Sequence, residues 1–269
     1  MIEIKNLVKS FSDKTVIDDT SAVFETGKCN LIIGASGSGK TVLMKCIVGL
    51  FEPDRGEIMY DEGSFTNMAE DERKLLRQKI GMLFQGSALF DSMTVEENVM
   101  FPLNMFTNMT TKEKHDRVNE VLARVNLKDA NNKYPSEISG GMKKRVGIAR
   151  AIVLTPKYLF CDEPNSGLDP KTSLVIDRLI HEITTEYNMT TIVNTHDMNS
   201  VMEIGEKILF MHQGKKEWEG SNKDIIFSKN ENLNNFIFAS EFLQDAKDMR
   251  MLELKGKIDD DRNMDELLK

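Results

Sequence analysis

The sequence predicts an α/β protein whose core is a mainly parallel sheet covered on both faces, and three observations carry that prediction. Four short runs, Cys29 to Ile33, Ile80 to Phe84, Tyr158 to Cys161 and Thr191 to Thr195, lack the alternation of a half-solvated strand. Helical spacing lies between them, as in Val42, Leu43, Cys46, Ile47 and Leu50 after the first run. Each run stops at a glycine or a polar residue: Gly34, Gln85, Asp162 with Glu163, and His196. Ligands of open parallel sheets lie beyond the carboxyl ends of the strands, so all four endings are expected to face one site.

Composition sets the frame. With 269 residues, 40% of them hydrophobic, the chain can bury one large core, or one core with a satellite, without disulfides. A formal charge of −8 argues against a sequence-independent grip on nucleic acid, which needs clustered Lys and Arg. Cys29, Cys46 and Cys161 lack metal-like spacing and sit in apolar runs, so they read as reduced core residues of a cytosolic protein. The N-terminus, MIEIKNLVKSF, has no apolar signal core, and no window approaches the ~18 apolar residues of a membrane span. The expectation is a chain that is neither secreted nor membrane-spanning by itself.

The first strand ending indicates the ligand. Gly34, Ala35, Ser36, Gly37, Ser38, Gly39, Lys40 and Thr41 match G-x-x-x-x-G-K-S/T, between an apolar run and a helix. Backbone N–H groups of such a loop wrap the β- and γ-phosphates of a nucleotide at the positive end of the helix. Lys40 is placed to bridge those phosphates, and the Thr41 hydroxyl to ligate Mg²⁺. In KYLFCDEP, Asp162 leaves a buried strand in position to hold Mg²⁺, while Glu163 can polarise an attacking water.

A second anion-binding feature lies between these two. Ser139 reads as the N-cap of a helix opened by Gly140, Gly141 and Met142 and continued by KKRVGIARAIVL. Its unpaired N–H groups suit an anion. Lys143, Lys144 and Arg145 crowd the first turns, where the helix dipole disfavours cations; a docked phosphate, Glu137 or a solvated basic face would each answer that conflict.

Taken in order, the phosphate loop, Gln85, ISGGM before a basic helix, LFCDEP, Ser166-Gly167-Leu168-Asp169 and His196 resemble the ATP-binding subunit of ABC transporters, over about residues 1–225. The resemblance implies a P-loop NTPase of the ABC type, with an N-terminal antiparallel β subdomain and a helical subdomain inserted at about 86–156. It implies ATP and Mg²⁺ as ligands, an integral membrane permease as partner, and a head-to-tail homodimer. Each ATP would lie between the phosphate loop of one chain and Ser139, Gly140, Gly141 and Met142 of the other, giving two sites in a closed arrangement.

Residue by residue, the same resemblance places Phe11 against adenine with Val16 beside it, and Val42 with the loop among the ATP contacts. Gln85 would reach Mg²⁺ and the water, joining Thr41 and Asp162 as metal contacts. Glu163, His196, Lys40 and Gln85 form the implied catalytic set, with His196 on the γ-phosphate. Asp169 would couple the two sites, although Asp169-Pro170 is equally an N-cap and first-turn pair. Two residues depart from the family pattern: Met142 replaces the usual glutamine, and Asn165 stands where threonine is common.

In the segment around Gln85, FQGSALFDSMTVEENVMFPL, an ordinary core would explain the apolar residues but not the glutamine. Thr94 with Glu97 reads as a capping box, so a helix starts there, and a second is expected at 111–125 with His115, Val118, Leu122 and Val125 on one face. The resemblance makes this region the receiver of a permease helix, with Leu89, Phe90 and Met93 facing the partner and Val99 and Phe101 packed inside. The segment, together with SGGMKKRVGIARAI, is similar to the ATPases of Mla-type phospholipid transporters, partners of MCE-domain lipid carriers. That likeness implies phospholipid transport, with the chain cytoplasmic and peripheral on the inner face of the membrane. It also implies that the extension at 226–269 holds the dimer or a small partner. In that extension Phe236, Ile237, Phe238, Phe242 and Leu243 read as a docked segment, and Asp259, Asp260, Asp261 and Arg262 as solvated.

Overall fold

The alternating pattern at the start of the chain folds as antiparallel strands. β1 (Ile2–Phe11) buries Ile2, Ile4 and Leu7, and β2 (Lys14–Phe24) buries Ile17, Ala22 and Phe24. The computed structural model describes residues 1–61 and 63–239 together with Gln244, Asp245, Lys247 and Met249. There follow β3 (Cys29–Ile33), α1 (Lys40–Val48), β4 (Arg55–Tyr60), β5 (Gly63–Ser64), α2 (Glu70–Arg77) and β6 (Ile80–Leu83). The helices α3 (Val95–Phe106), α4 (Thr111–Arg124) and α5 (Gly140–Ile152) come next, then β7 (Tyr158–Asp162), α6 (Pro170–Glu186) and β8 (Thr190–Thr195). The series ends with α7 (Met198–Ile204), β9 (Lys207–His212), β10 (Lys215–Gly220) and α8 (Glu231–Ile237).

Two sheets result. One is antiparallel, in the order β2-β1-β4-β5. The other runs β10-β9-β3-β8-β7-β6, parallel throughout except for the edge strand β10. β3 and β7 are buried at every position, as their unbroken apolar runs require. Register aligns the carboxyl ends: Ile33 pairs with Thr195, Asp162 with Asn194, and Leu83 with Cys161. The expected endings Gly34, Gln85, Glu163 and His196 therefore emerge along one edge. Packing beneath them includes Tyr60 edge-on to Tyr158, with centroids 4.8 Å apart and its hydroxyl donating to the Ile47 carbonyl at 2.9 Å.

The three cysteines are free and buried. Burial pushes the Cys29 thiol up to about 12 and that of Cys46 to about 11, and raises Cys161 as well.

The helical region starts where the capping box places it. The Thr94 N–H donates to Glu97 at 2.8 Å, and the Glu97 N–H returns to the Thr94 hydroxyl at 3.2 Å. Val99 is buried and Phe101 packs on Phe90 at 4.9 Å. In α4 the buried face is Val118, Val121 and Leu122, continued by Val125. His115 departs from expectation: it lies exposed at the rim and pairs with Glu96 of α3, because a carboxylate is within reach there and the core is not.

The chain divides into two compact units, Met1–Asn222 and Lys223–Lys269. In the second, Asn230 caps α8 by accepting from the Leu233 N–H at 2.8 Å, and Lys247 donates to Asn234 at 2.6 Å. The expectations for Phe242, Leu243, Asp259, Asp260, Asp261 and Arg262 fall outside the described residues. Among the described residues no helix is long and apolar enough to cross a membrane.

Candidate functional site

The loop after β3 closes on its own lysine. Lys40 donates to the carbonyls of Gly34 at 2.7 Å and Ala35 at 3.0 Å, which gathers residues 34–40 into a ring at the start of α1. Gly34 is required there: its φ is 148°, and a Cβ would meet the Met211 carbonyl oxygen at 2.2 Å. Burial lowers the Lys40 pKa, and Glu163 and Asp162 oppose that fall, so the lysine lies within the field of both carboxylates. Inside the ring the buried Ser38 hydroxyl oxygen has no protein partner. An unpaired polar atom in a loop of backbone N–H groups, beside a cation and a hydroxyl, fits a phosphate chain.

Asp162 and Glu163 are sequence neighbours with different tasks. Asp162, at the end of β7, accepts from the Asn194 amide at 3.1 Å and from the Thr41 hydroxyl at 3.4 Å. A hydroxyl beside one carboxylate is the kind of sparse oxygen set that Mg²⁺ takes when phosphates supply other ligands. Accordingly, the described residues contain no cluster of three His, Cys, Asp or Glu side chains suited to a metal. Glu163 turns out of the strand with φ 49°, its N–H held by the Asn194 carbonyl at 3.0 Å. That left-handed conformation is unusual for a non-glycine residue and sends the second carboxylate away from the first. It meets His196, whose Nδ1 lies 2.9 Å from one carboxylate oxygen and 2.8 Å from the other.

The structure thus joins Lys40 to its loop, Thr41 to Asp162, and Glu163 to His196. Of the other expected residues, Val16 lies against the loop, its carbonyl oxygen 2.8 Å from where a Cβ on Gly39 would stand, and the Gln85 main chain shares Lys144 with that of Glu163. Phe11 is exposed and edge-on to Phe51 at 5.3 Å, so it is not core, and Val16 beside it is half-buried. The Gln85 residue is exposed. Ser139 caps α5 by accepting from the Met142 N–H at 3.3 Å. Among the described residues no hydrogen bond joins residues 139–142 to residues 34–41 of the same chain. Asp169 is the N-cap of α6, accepting from the Thr172 N–H at 3.0 Å and its hydroxyl at 2.5 Å.

Three features escape sequence reasoning. Lys144 gives none of the three expected answers to the crowded helix start: it turns inward, 4% exposed, and donates to the main-chain carbonyls of Gln85 and Glu163. Glu137 takes no part, since it accepts from the Tyr134 N–H at 2.7 Å. The loop after Gln85 passes through Ser87 and Ala88 with φ of 64° and 45°. It is pinned by buried Asn98, which bonds the main chain of Phe90 in both directions, and by Arg150, which donates to the carbonyls of Ser87 and Ala88. Finally, Asn165 donates at 2.9 Å both to Asp177 and to Ser200, and Ser200 donates to Asp177, tying the loop after Glu163 to α6 and α7. Only the departure from threonine at Asn165 marked that cluster in the sequence.

Comparison with known proteins places the chain in a family. The family model described as ABC transporter matches residues 17–166. A methionine import ATP-binding protein, MetN 2 of Bacillus cereus, is 38% identical over 242 residues, 88% of this chain and 71% of that protein. The probable ribonucleotide transport ATP-binding protein mkl of Mycobacterium bovis is 40% identical over 198 residues, covering 74% of this chain and 55% of that one. The ATP-binding cassette MJ0796, solved as a dimer in a post-hydrolysis state with ADP and Pi, superposes with a TM-score of 0.75 at 31% identity. The match covers 82% of this chain and 99% of that one. Phosphate loop, strand-end carboxylates and matched relatives together identify the chain as a member of the ABC transporter family, an ABC ATPase that binds ATP with Mg²⁺.

Proposed function

We propose that the chain is the motor subunit of a transporter, closing in pairs around two MgATP to drive a membrane permease. The observation that carries the reading is the Glu163–His196 pair at the carboxyl edge of the sheet, beside Asp162 with Thr41 and the ring around Lys40. In this reading the ring amides and Lys40 hold the β- and γ-phosphates, and Glu163 orients a water and takes its proton. His196, held by Glu163, would contact the terminal phosphoryl group. Thr41, Asp162 and Gln85 would hold Mg²⁺, whose chemistry is to neutralise charge on the phosphates.

Among the described residues no hydrogen bond joins residues 139–142 to the phosphate loop of their own chain, which supports a reading in which the N–H groups of this helix start receive the phosphates held by a second copy. Chromatography of Glu163→Gln with ATP tests this: the expected result is a dimer that Ser139→Arg abolishes, and a monomer for both variants would refute it. Deleting residues 226–269 in the same assay tests their role as a dimer contact; an unchanged equilibrium refutes that role.

For cargo, the segment from Phe84 to Leu103 supports phospholipid, with an MCE-domain lipid carrier as a further partner and the chain peripheral on the inner face of the cytoplasmic membrane. An apolar cavity of about 460 Å³, lined by Phe84, Phe90, Phe101, Pro102 and Phe106, supports the docking of a permease helix. A second reading, import of methionine, is favoured by the 38% identity to MetN 2 over 88% of the chain, and none of the relatives reported above is named for phospholipid. Isolation of the chain with its permease separates the two. Phospholipid in the complex and ATPase activity indifferent to methionine support the first, and stimulation by methionine supports the second.

A further inference from the structure

Two carbonyls just past the ends of neighbouring strands share one buried cation. Lys144, on the second turn of α5, donates from Nζ to the carbonyl oxygen of Gln85 and, at 3.3 Å, to that of Glu163. β6 and β7 pair only as far as Leu83 with Cys161, so both carbonyls lie beyond the last rung of that ladder. Burial lowers the Lys144 pKa, while Cys161, Glu163 and Asp162 draw it back up. A neutral side chain of similar length would fill the space without that desolvation cost. Both hydrogen bonds of Lys144 end on main-chain carbonyls at the carboxyl edge of the sheet, tying α5 to two neighbouring strand ends.

We propose that Lys144 is a positioning residue for ATP hydrolysis, fixing the backbone of Gln85 and Glu163 against the helix that begins at Ser139. The inference rests on the reading of Glu163 as the residue that acts on water. Glu163 sits in a left-handed conformation, and its carbonyl accepts from Lys144 at 3.3 Å and from the Ser166 N–H at 3.2 Å, so Lys144 adds the tie that reaches α5. Ser139 caps the helix that carries Lys144, so one short helix links that helix start to the two strand ends. Misplacing a reacting group by about 1 Å costs ~10²-fold in rate.

The test is steady-state MgATP turnover and ATP binding by the purified chain for Lys144→Met and Lys144→Arg, alone and with Glu163→Gln. The expected result is a loss of ~10- to 100-fold in kcat for Lys144→Met with KM and ATP affinity within about twofold of wild type. Lys144→Arg should recover most of that rate, since a guanidinium can donate to both carbonyls. In the Glu163→Gln background, adding Lys144→Met should change the residual rate by less than about twofold, because residues acting as a unit do not add. Full turnover by Lys144→Met, an arginine variant as slow as the methionine one, a further large loss on top of Glu163→Gln, or ATP affinity lost in proportion to rate would each overturn the inference. Wild-type turnover by Glu163→Gln alone would instead sink the reading of Glu163.

Discussion

Glu163 and His196, on adjoining strand ends, are joined through Nδ1 at 2.9 Å from one carboxylate oxygen, and Glu163 makes that contact from a left-handed backbone. The carboxylate is largely enclosed and the imidazole open to solvent. An isosteric amide would keep the size of the Glu163 side chain and remove its basicity. Glu163→Gln should therefore bind ATP normally and lose turnover by ~10²–10⁴-fold, the usual worth of positioned acid–base help. Phosphate release under saturating MgATP measures this, and normal turnover would refute the assignment.

Lys40 contributes differently, through ground-state binding. Its ammonium now bonds the carbonyls of Gly34 and Ala35, and a triphosphate offers it charged acceptors instead. Lys40→Ala should weaken ATP binding by ~10- to 100-fold, the worth of a hydrogen bond to a charged group. Calorimetric titration with ATP gives the number directly; an unaltered affinity would remove the phosphate-loop role.

Asp177 gives the fold a pH dependence. Burial pushes its carboxyl up to about 6, against the lowering effect of hydrogen bonds from Ser200 and Asn165, while Asp197 and Glu203 add to the rise. The folded state therefore holds a proton that the unfolded chain releases near its ordinary carboxylate value. This contribution is fully present below about pH 4 and is lost as pH rises through about 6. A rise from the ordinary carboxylate value to about 6 corresponds to about 3 kcal/mol. The stability of the native chain relative to Asp177→Asn should fall by about that amount between pH 4 and pH 7 in urea titrations, and a constant difference would disprove the linkage.

Gly81 in β6 lies so close to α5 that a Cβ there would meet the Ala151 carbonyl oxygen at 2.3 Å and Pro156 at 3.1 Å. Backbone cannot yield as a side chain does. Gly81→Ala should destabilise the chain by about 1–3 kcal/mol, the cost of overpacking. Chemical denaturation is the measurement, and an unchanged midpoint would mean that α5 can shift.

Much of the site is legible in the sequence because strand ends announce themselves. Cys29 to Ile33 is bounded correctly, and the other runs miss by one residue: Phe84 is already exposed, Asp162 still pairs with Asn194, and Thr190 joins β8. A buried strand can carry a polar residue at its margin, where periodicity gives no guidance. Lys144, Asn98 and the Asn165–Asp177–Ser200 cluster were not legible for a different reason. Their partners lie far along the chain or are main-chain carbonyls, which no side-chain pattern marks. Lys144 in particular reads as one of three surface cations until the fold shows which one faces inward.

The three buried thiols have a practical corollary. Reagents such as maleimides attack the thiolate, and Cys29, Cys46 and Cys161 are both shielded and held protonated. A single cysteine introduced at the exposed Ser136, three residues before the Ser139 cap, would then take up a fluorophore alone. The approach of a second copy to that helix start could be followed spectroscopically in a chain that keeps all its native residues elsewhere.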